Sequence, residues 1–142
     1  MAKINPYLNF NGNAAEAFHF YQSVFGGEFA AFTRFKDMPP SPESGNMSEE
    51  DLEKVMHVSL PIGDGYALMA SDVPESSGYP KAQGNNVYLS ITADSKEEAD
   101  RLFQGLSAGG EVEMPMQDTF WNAYFGSFVD KFGIRWMINF DY

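Results

Sequence analysis

The sequence predicts an α+β fold made of two tandem βαβββ modules, and three observations lead to this prediction. β-favouring stretches alternate with amphipathic helical ones, the order of elements restarts after a Pro- and Gly-rich stretch, and short motifs recur in both halves. The repeat assigns residues 1–72 to a first module, 73–85 to a linker and 86–142 to a second module. Together they make a single domain of 142 residues.

The first module begins with β-favouring and aromatic residues at 4–10, which predict a strand. Asn13, with Glu16 three residues later, matches a capping box, and Gly26 ends the helix that follows. A Pro-, Ser- and Glu-rich loop with a short helical piece interrupts the strands of the module. The predicted strands after the helix, the last two forming a hairpin, are 28–35, 55–62 and 66–71.

The second module repeats this order. Residues 87–92 predict a strand, Ser95 and Glu98 form another capping box, and Gly109-Gly110 ends the helix. Three segments follow: a strand, an aromatic stretch and a last strand, at 111–114, 119–128 and 134–140. Two copies of one unit can share a pseudo-twofold axis. We therefore expect the mixed sheets to curl around a common cavity, where small ligands tend to bind.

Composition limits the classes of partner. The net charge of −11 disfavours nucleic acid and favours a cationic ligand, although acidity for solubility alone explains it too. The absence of cysteine excludes disulfides, thiol catalysis and cysteine-ligated zinc. No signal-peptide pattern and no apolar run of about 18 residues is present, so the expectation is a cytoplasmic protein with no membrane partner.

Three segments of the sequence resemble the vicinal oxygen chelate superfamily (glyoxalase, bleomycin resistance and dioxygenase proteins), in particular its PhnB-like branch. They are Pro6 to Phe10, Leu68 to Asp72 and, most specifically, Thr119 to Asn139. The resemblance implies a glyoxalase-like fold and a homodimer. PhnB-like sequences often carry a ubiquinone-pathway methyltransferase label. We reject it here, because no Gly-rich strand-turn-helix motif could receive a nucleotide cofactor.

In metal-dependent members of the superfamily, His, Glu or Gln on the first and fourth strand of each half hold the ion. The matching positions here fall at about Pro6, Met69, Tyr88 (or Val87) and Met137. None of these residues is a usual ligand of a borderline divalent ion. We therefore expect neither a metal nor another cofactor.

The candidate ligand-binding residues are those at alternate strand positions, which would face inward, together with Trp121 and Tyr124 of the aromatic stretch. Their predicted set is His57, Ser59, Met69, Ser71, Tyr88, Trp121, Tyr124, Met137 and Asn139, with Leu8 beside them. Methionine and aromatic rings suit a small aromatic or cationic molecule. The same side chains would equally serve as ordinary core, and His57 as a histidine packed in the sheet. No nucleophile-base-orienter set is visible, so no catalytic residue is assigned.

Three functions remain open from the sequence. The first is metal-independent binding of a small molecule in an aromatic-rich cavity. The alternative is a lyase- or dioxygenase-like enzyme with a non-standard site in which His57 orients a ligand or acts as a base. The third is a dimeric scaffold with a filled interior and no small ligand.

Overall fold

The computed structural model describes residues 2–39, 47–82 and 84–142. The chain divides into two compact units, residues 1–83 and 84–142. Each unit holds a four-stranded mixed sheet and one twelve-residue helix. The predicted α+β class with two βαβββ modules is therefore confirmed. None of the helices in the described ranges is long and apolar enough to cross a membrane.

The first unit follows the predicted order. Its strands and helices are β1 Tyr7–Phe10, α1 Ala14–Phe25, β2 Ala31–Arg34, α2 Glu49–Leu52, β3 Val55–Ile62 and β4 Tyr66–Asp72. The spatial order is β1-β4-β3-β2, with β1 parallel to β4 and the other pairs antiparallel. Part of the predicted loop between β2 and β3, residues 40–46, lies outside the described residues. Its predicted helical piece is α2.

The second unit repeats that topology. Its elements are β5 Leu89–Thr92, α3 Lys96–Ser107, β6 Glu111–Asp118, β7 Ala123–Val129 and β8 Arg135–Asp141. The spatial order is β5-β8-β7-β6, with β5 parallel to β8. Strands β1 and β5 are shorter than predicted, because the ladders with β4 and β8 begin only at Tyr7 and Leu89.

Each helix packs its apolar stripe against one face of its own sheet. On α1 the buried residues are Ala14, Ala17, Phe18 and Tyr21, and on α3 they are Ala99, Leu102, Phe103 and Leu106. The Phe18 ring meets Phe10 of β1 edge-on, and the Phe103 ring meets Phe128 of β7 in the same way. These helix-facing layers are the hydrophobic cores of the two units.

The cap of α1 differs from the prediction. Asn13 makes no side-chain cap bond, whereas Asp72 Oδ1 accepts the backbone N–H groups of Gly12 and Ala14, each at 3.0 Å. The helix N-terminus is thus satisfied by a carboxylate from β4. The α3 cap is confirmed for Ser95, whose hydroxyl accepts the Glu98 N–H at 3.0 Å, whereas the Glu98 carboxylate accepts the N–H of Asp94 rather than that of Ser95.

Strand β6 runs four residues further than predicted, through Pro115. A proline has no N–H for a strand ladder, but β6 lies at the edge of its sheet and pairs on one side only. The ladder to β7 shifts register on both sides of Met114, which accommodates the proline.

Candidate functional site

The first sheet has one face covered by α1 and one turned away from it. Buried residues such as Phe10, Leu68 and Ala70 lie on the α1 side. Because side chains alternate along a strand, the residues between them lie on the other face. We call it the helix-free face of the first sheet, and it contains Tyr7, Asn9, Thr33, His57, Ser59, Met69 and Ser71.

Four predicted site residues share this face: His57, Ser59, Met69 and Ser71. The register brings them together, because Ser59 is the Cα partner of Met69 in the β3–β4 ladder. Ser59 is buried, and the other three are partly accessible. Leu8, predicted beside them, lies instead on the α1 side as the partner of Ala70. Tyr7, the partner of Met69, lies on the helix-free face where Leu8 was expected.

Tyr7 joins two of these residues in a hydrogen-bonded cluster. Its phenol oxygen lies 3.2 Å from His57 Nδ1 and 2.5 Å from Ser71 Oγ. The Ser71 hydroxyl donates to the backbone carbonyl of Met56 at 2.7 Å. The Tyr7 and His57 rings are nearly parallel, with centroids 5.8 Å apart. The cluster therefore holds an imidazole and a phenol in one orientation on the helix-free face.

The second sheet places Met137 and Asn139 in the equivalent positions. Gly126 and Ile138 lie on the side of α3, and a Cβ on Gly126 would come within 2.8 Å of the Phe103 ring. Met137 and Asn139 alternate with Ile138 and so lie on the other face, where Met137 pairs with Ser90. The amide of Asn139 donates to Asp141 Oδ1 at 2.9 Å.

Tyr88 stands just before β5 and belongs to a charged cluster. Its hydroxyl donates to Glu113 Oε1 at 2.7 Å, and the guanidinium of Arg135 bonds to Glu113 Oε2 at 3.0 Å. Arg135 also lies over the Tyr88 ring, 5.9 Å from its centroid. This ion pair with the glutamate on β6 keeps the Arg135 side chain partly buried.

Of the remaining two predicted residues, Trp121 borders the face that holds Asn139, because it touches the ring of Phe125, the ladder partner of Asn139. Tyr124 does not. Trp121 belongs to the turn before β7, is 52% exposed and touches the rings of Phe120 and Phe125. Tyr124 lies on the α3 side, where its hydroxyl donates to Asp100 Oδ1 at 2.6 Å. That hydrogen bond, with burial and the nearby carboxylate charge, raises the pKa of Tyr124 to about 12. Tyr124 is therefore held as a neutral donor to the helix.

The four positions where the superfamily holds metal do not suit a metal here. Pro6 carries no donor side chain, and its carbonyl accepts the N–H of Met69 at 3.2 Å. Tyr88 is engaged with Glu113, and Met137 offers only a thioether. Among the residues that the structure describes, no three His, Asp or Glu side chains lie close enough to hold an ion.

A polar cavity of about 320 Å³ lies at the start of α1, which the sequence did not indicate. Arg34, Glu53, Lys54 and Asp72 are among its lining residues. Each is already engaged: Arg34 with the carbonyl of Glu53, the Glu53 carboxylate with Lys36, Lys54 with Asp51, and Asp72 with backbone N–H groups. This cavity thus lacks the aromatic character predicted for a ligand site.

Comparison with known proteins places these features in a family. Residues 3–138 match the model of the Glyoxalase/Bleomycin resistance protein/Dioxygenase superfamily. Protein YjdN of Escherichia coli (strain K12) is 33% identical, over 96% of this chain and 93% of its own. The crystal structure of PA1353 from Pseudomonas aeruginosa is 42% identical, covers 99% of this chain and 98% of its own, and superposes with a TM-score of 0.86.

A PhnB protein from Bacillus cereus shares the fold as well. It is 26% identical, covers 98% of this chain and 99% of its own, and superposes with a TM-score of 0.74. The description of that protein offers 3-demethylubiquinone-9 3-methyltransferase as a candidate activity. The resemblance to PhnB-like proteins inferred from the sequence is confirmed. The chain belongs to the Glyoxalase/Bleomycin resistance protein/Dioxygenase superfamily.

Proposed function

We propose that this protein binds a small aromatic or cationic organic molecule without a metal, on the helix-free face of the first sheet. The observation that carries the proposal is the Tyr7–His57–Ser71 cluster, which places two aromatic rings and a polar nitrogen on one face. It stands beside Met69, at a position where metal-dependent relatives would need a ligand. An aromatic, hydrogen-bonding surface suits an organic molecule better than an ion.

Methionine and charge support the same class of ligand. Met69 is only partly buried and can adapt its thioether to an irregular apolar partner. The net charge of −11 raises the local concentration of cations around the protein. In the second unit, Met137 and Asn139 form an equivalent surface, with Tyr88 and Trp121 as further candidate contacts. Tyr124 is not part of the proposal, because its hydroxyl is committed to Asp100.

The test is ligand-dependent thermal stabilisation with a panel of phenols, aromatic amines and aromatic ammonium ions. Each is measured with a chelator and again with Ni²⁺, Mn²⁺, Fe²⁺ or Zn²⁺. A ligand at one hundred times its Kd adds about 2.7 kcal/mol to the free energy of unfolding. For a chain of this size the melting temperature should rise by several degrees, and the chelator should not change it.

Matched variants locate the site. His57→Gln should reduce the ligand-induced shift, whereas His19→Gln, at the exposed histidine of α1, should leave it unchanged. Stabilisation that needs a metal and disappears with chelator would refute the proposal. So would a panel in which no compound stabilises the protein.

An enzyme of the lyase or dioxygenase type is the second candidate. It rests on one observation, that the His57 ring is oriented by a hydrogen bond between its Nδ1 and the Tyr7 hydroxyl, as a general base requires. Turnover of glyoxalase or catechol substrates that His57→Gln abolishes, with folding intact, would favour this candidate. Binding without turnover would favour the first.

A further inference from the structure

The Tyr7–His57–Ser71 cluster contains three hydrogen-bond contacts, and each of them needs one hydrogen from one of its two partners. From one end to the other they are Met56 O to Ser71 Oγ at 2.7 Å, Ser71 Oγ to Tyr7 Oη at 2.5 Å, and Tyr7 Oη to His57 Nδ1 at 3.2 Å. A carbonyl oxygen can only accept. Each hydroxyl has one hydrogen to donate. These two facts decide the direction of every bond.

The Ser71 hydroxyl must give its hydrogen to the Met56 carbonyl, because nothing else at that contact can donate. The contact between Ser71 and Tyr7 then needs the hydrogen of the phenol, which becomes the donor to Ser71 Oγ. Tyr7 has none left for His57, so the remaining contact requires a hydrogen on Nδ1. Reversing either hydroxyl leaves two lone pairs facing each other at 2.5 or 2.7 Å, and a bare Nδ1 leaves two facing each other at 3.2 Å, with no hydrogen between them.

We propose that this chain of hydrogen bonds, the relay, selects the tautomer of the neutral His57 ring that carries its hydrogen on Nδ1, so that this form of the ring presents the bare lone pair of Nε2 to the ligand. No group in the described ranges bonds to Nε2, and the atom is accessible to solvent. Ser71 and Tyr7 are therefore positioning residues that act through the imidazole. Sequence reasoning named Ser71 and His57 but gave no role to Tyr7.

The relay narrows the class of ligand, a step that rests on the proposed function. A bare Nε2 accepts a hydrogen bond, so the ligand should carry an O–H or N–H beside its aromatic ring, as a phenol or a protonated aromatic amine does. A quaternary ammonium ion or an aryl ether has no hydrogen to offer. These should bind less tightly than their hydrogen-bearing counterparts of the same shape.

Histidine tautomers give a test that needs no ligand. Long-range ¹H–¹⁵N correlation spectra of ¹⁵N-histidine-labelled protein distinguish a protonated ring nitrogen from a bare one. At about pH 8.5, where an ordinary imidazole is neutral, His57 should show hydrogen on Nδ1 and none on Nε2. The spectrum contains one other histidine, His19, which serves as the internal reference.

Variants of the relay should change the tautomer in a defined direction. In Ser71→Ala the Tyr7 hydrogen is released and can be donated to Nδ1, so the hydrogen of the ring should move to Nε2. Ser71→Thr keeps a hydroxyl and should restore the original tautomer. Ser59→Ala, on the same face but outside the relay, should have no effect. If Ser71→Ala does not fold, Tyr7→Phe should still produce a mixture of tautomers.

Binding of phenol and anisole tests the ligand class. Wild-type protein should bind phenol about tenfold more tightly, the value of one hydrogen bond, and Ser71→Ala should lose most of that preference. A wild-type His57 with hydrogen on Nε2, or one that does not respond to Ser71→Ala, overturns the relay. Equal affinities for phenol and anisole overturn the ligand class. Binding of neither compound also refutes the ligand class and counts against the proposed function, while the tautomer result stands on its own.

Discussion

The carboxylate of Asp72, at the end of β4, accepts the N–H of Ala14, the first residue of α1, at a distance of 3.0 Å. The same side chain accepts the N–H groups of Gly12 at 3.0 Å and Val55 at 2.8 Å. Asp72 is 3% exposed. One buried carboxylate therefore joins the helix start, the first residue of β3 and the last residue of β4.

Replacing Asp72 with asparagine should destabilise the protein strongly. The amide nitrogen cannot accept a hydrogen bond, so at least one buried backbone N–H loses its partner. The expected loss is about 3 kcal/mol, measured as the free energy of unfolding in urea. Asp64→Asn, in the exposed turn of the β3–β4 hairpin, is the control and should cost less than about 0.5 kcal/mol. Equal effects of the two changes would contradict the role of Asp72.

The tyrosine on β7 should be the last to ionise. The hydrogen bond to Asp100 raises the pKa of Tyr124 to about 12, so its contribution to stability is complete below about pH 10 and is lost as the pH rises through 12. Tyrosinate absorbance after rapid pH jumps should show a component near pH 12 that Tyr124→Phe removes. Tyr66→Phe, at an exposed tyrosine, should keep this component. Its persistence in Tyr124→Phe would refute the assignment.

The ion pair between Asp51 and Lys54 should make the free energy of unfolding decrease at acidic pH. The ammonium of Lys54, 2.9 Å away, lowers the pKa of Asp51, and the N–H groups of Glu75 and Ser76 act in the same direction. Because the pKa of this carboxyl is lower in the folded protein, the pair contributes its full stability at pH values above the ordinary carboxyl pKa. That stability is lost as the pH falls through the lowered pKa. The same contact raises the pKa of Lys54, so at the alkaline end stability is lost only as the pH rises through that raised value.

Urea unfolding between about pH 7 and pH 2 tests this pair. Asp51→Asn should cost about 2 kcal/mol at pH 7, and the difference from wild type should shrink below about pH 4. Glu53→Gln breaks the exposed pair with Lys36 and should cost less than about 1 kcal/mol. A difference for Asp51→Asn that is constant with pH would show that the charge has no part in it.

Gly110 should tolerate no side chain. A Cβ at this position would lie 2.2 Å from the carbonyl oxygen of Val129 and 2.9 Å from the backbone of Asp130. Gly110→Ala should therefore cost about 3 kcal/mol or more in the free energy of unfolding, measured in urea. Gly78→Ala is the comparison: its Cβ would meet nothing, and only its left-handed backbone, with a φ of 76°, costs energy, about 1 kcal/mol. A smaller loss for Gly110→Ala than for Gly78→Ala would contradict the steric reason.

Features that depend only on residues close together in the sequence were predictable from it. The α3 cap is one, because Ser95 and Glu98 are three residues apart and need nothing else. The α1 cap was not, because the chain brings Asp72 to Ala14 only after β4 has joined the sheet. The Asn13 pattern was a true local signal that a stronger tertiary acceptor replaced.

The candidate site was likewise predictable where it depends on alternation within a strand, and not where it depends on the pairing of distant segments. Alternation within β3 and β4 placed His57, Ser59, Met69 and Ser71 on one face, as the structure has them. The partner from β1 depended on the parallel register, and a shift of one residue exchanged Leu8 for Tyr7. Tyr124 was predicted as part of an aromatic stretch without a strand register. In the structure it is the ladder partner of Phe140 and alternates with Phe125, so its ring lies on the α3 side, where its hydroxyl donates to Asp100.

The strand order has a consequence for how the chain acquires its structure during synthesis. In each unit the first strand pairs with the last one made: Tyr7 with Met69, and Leu89 with Trp136. The ribosome must therefore release a whole unit before either sheet can close, and long-range parallel pairing of this kind is slow. A nascent chain halted just before β8 would expose the edge of β5, and chaperones would be expected to protect it until the final strand arrives.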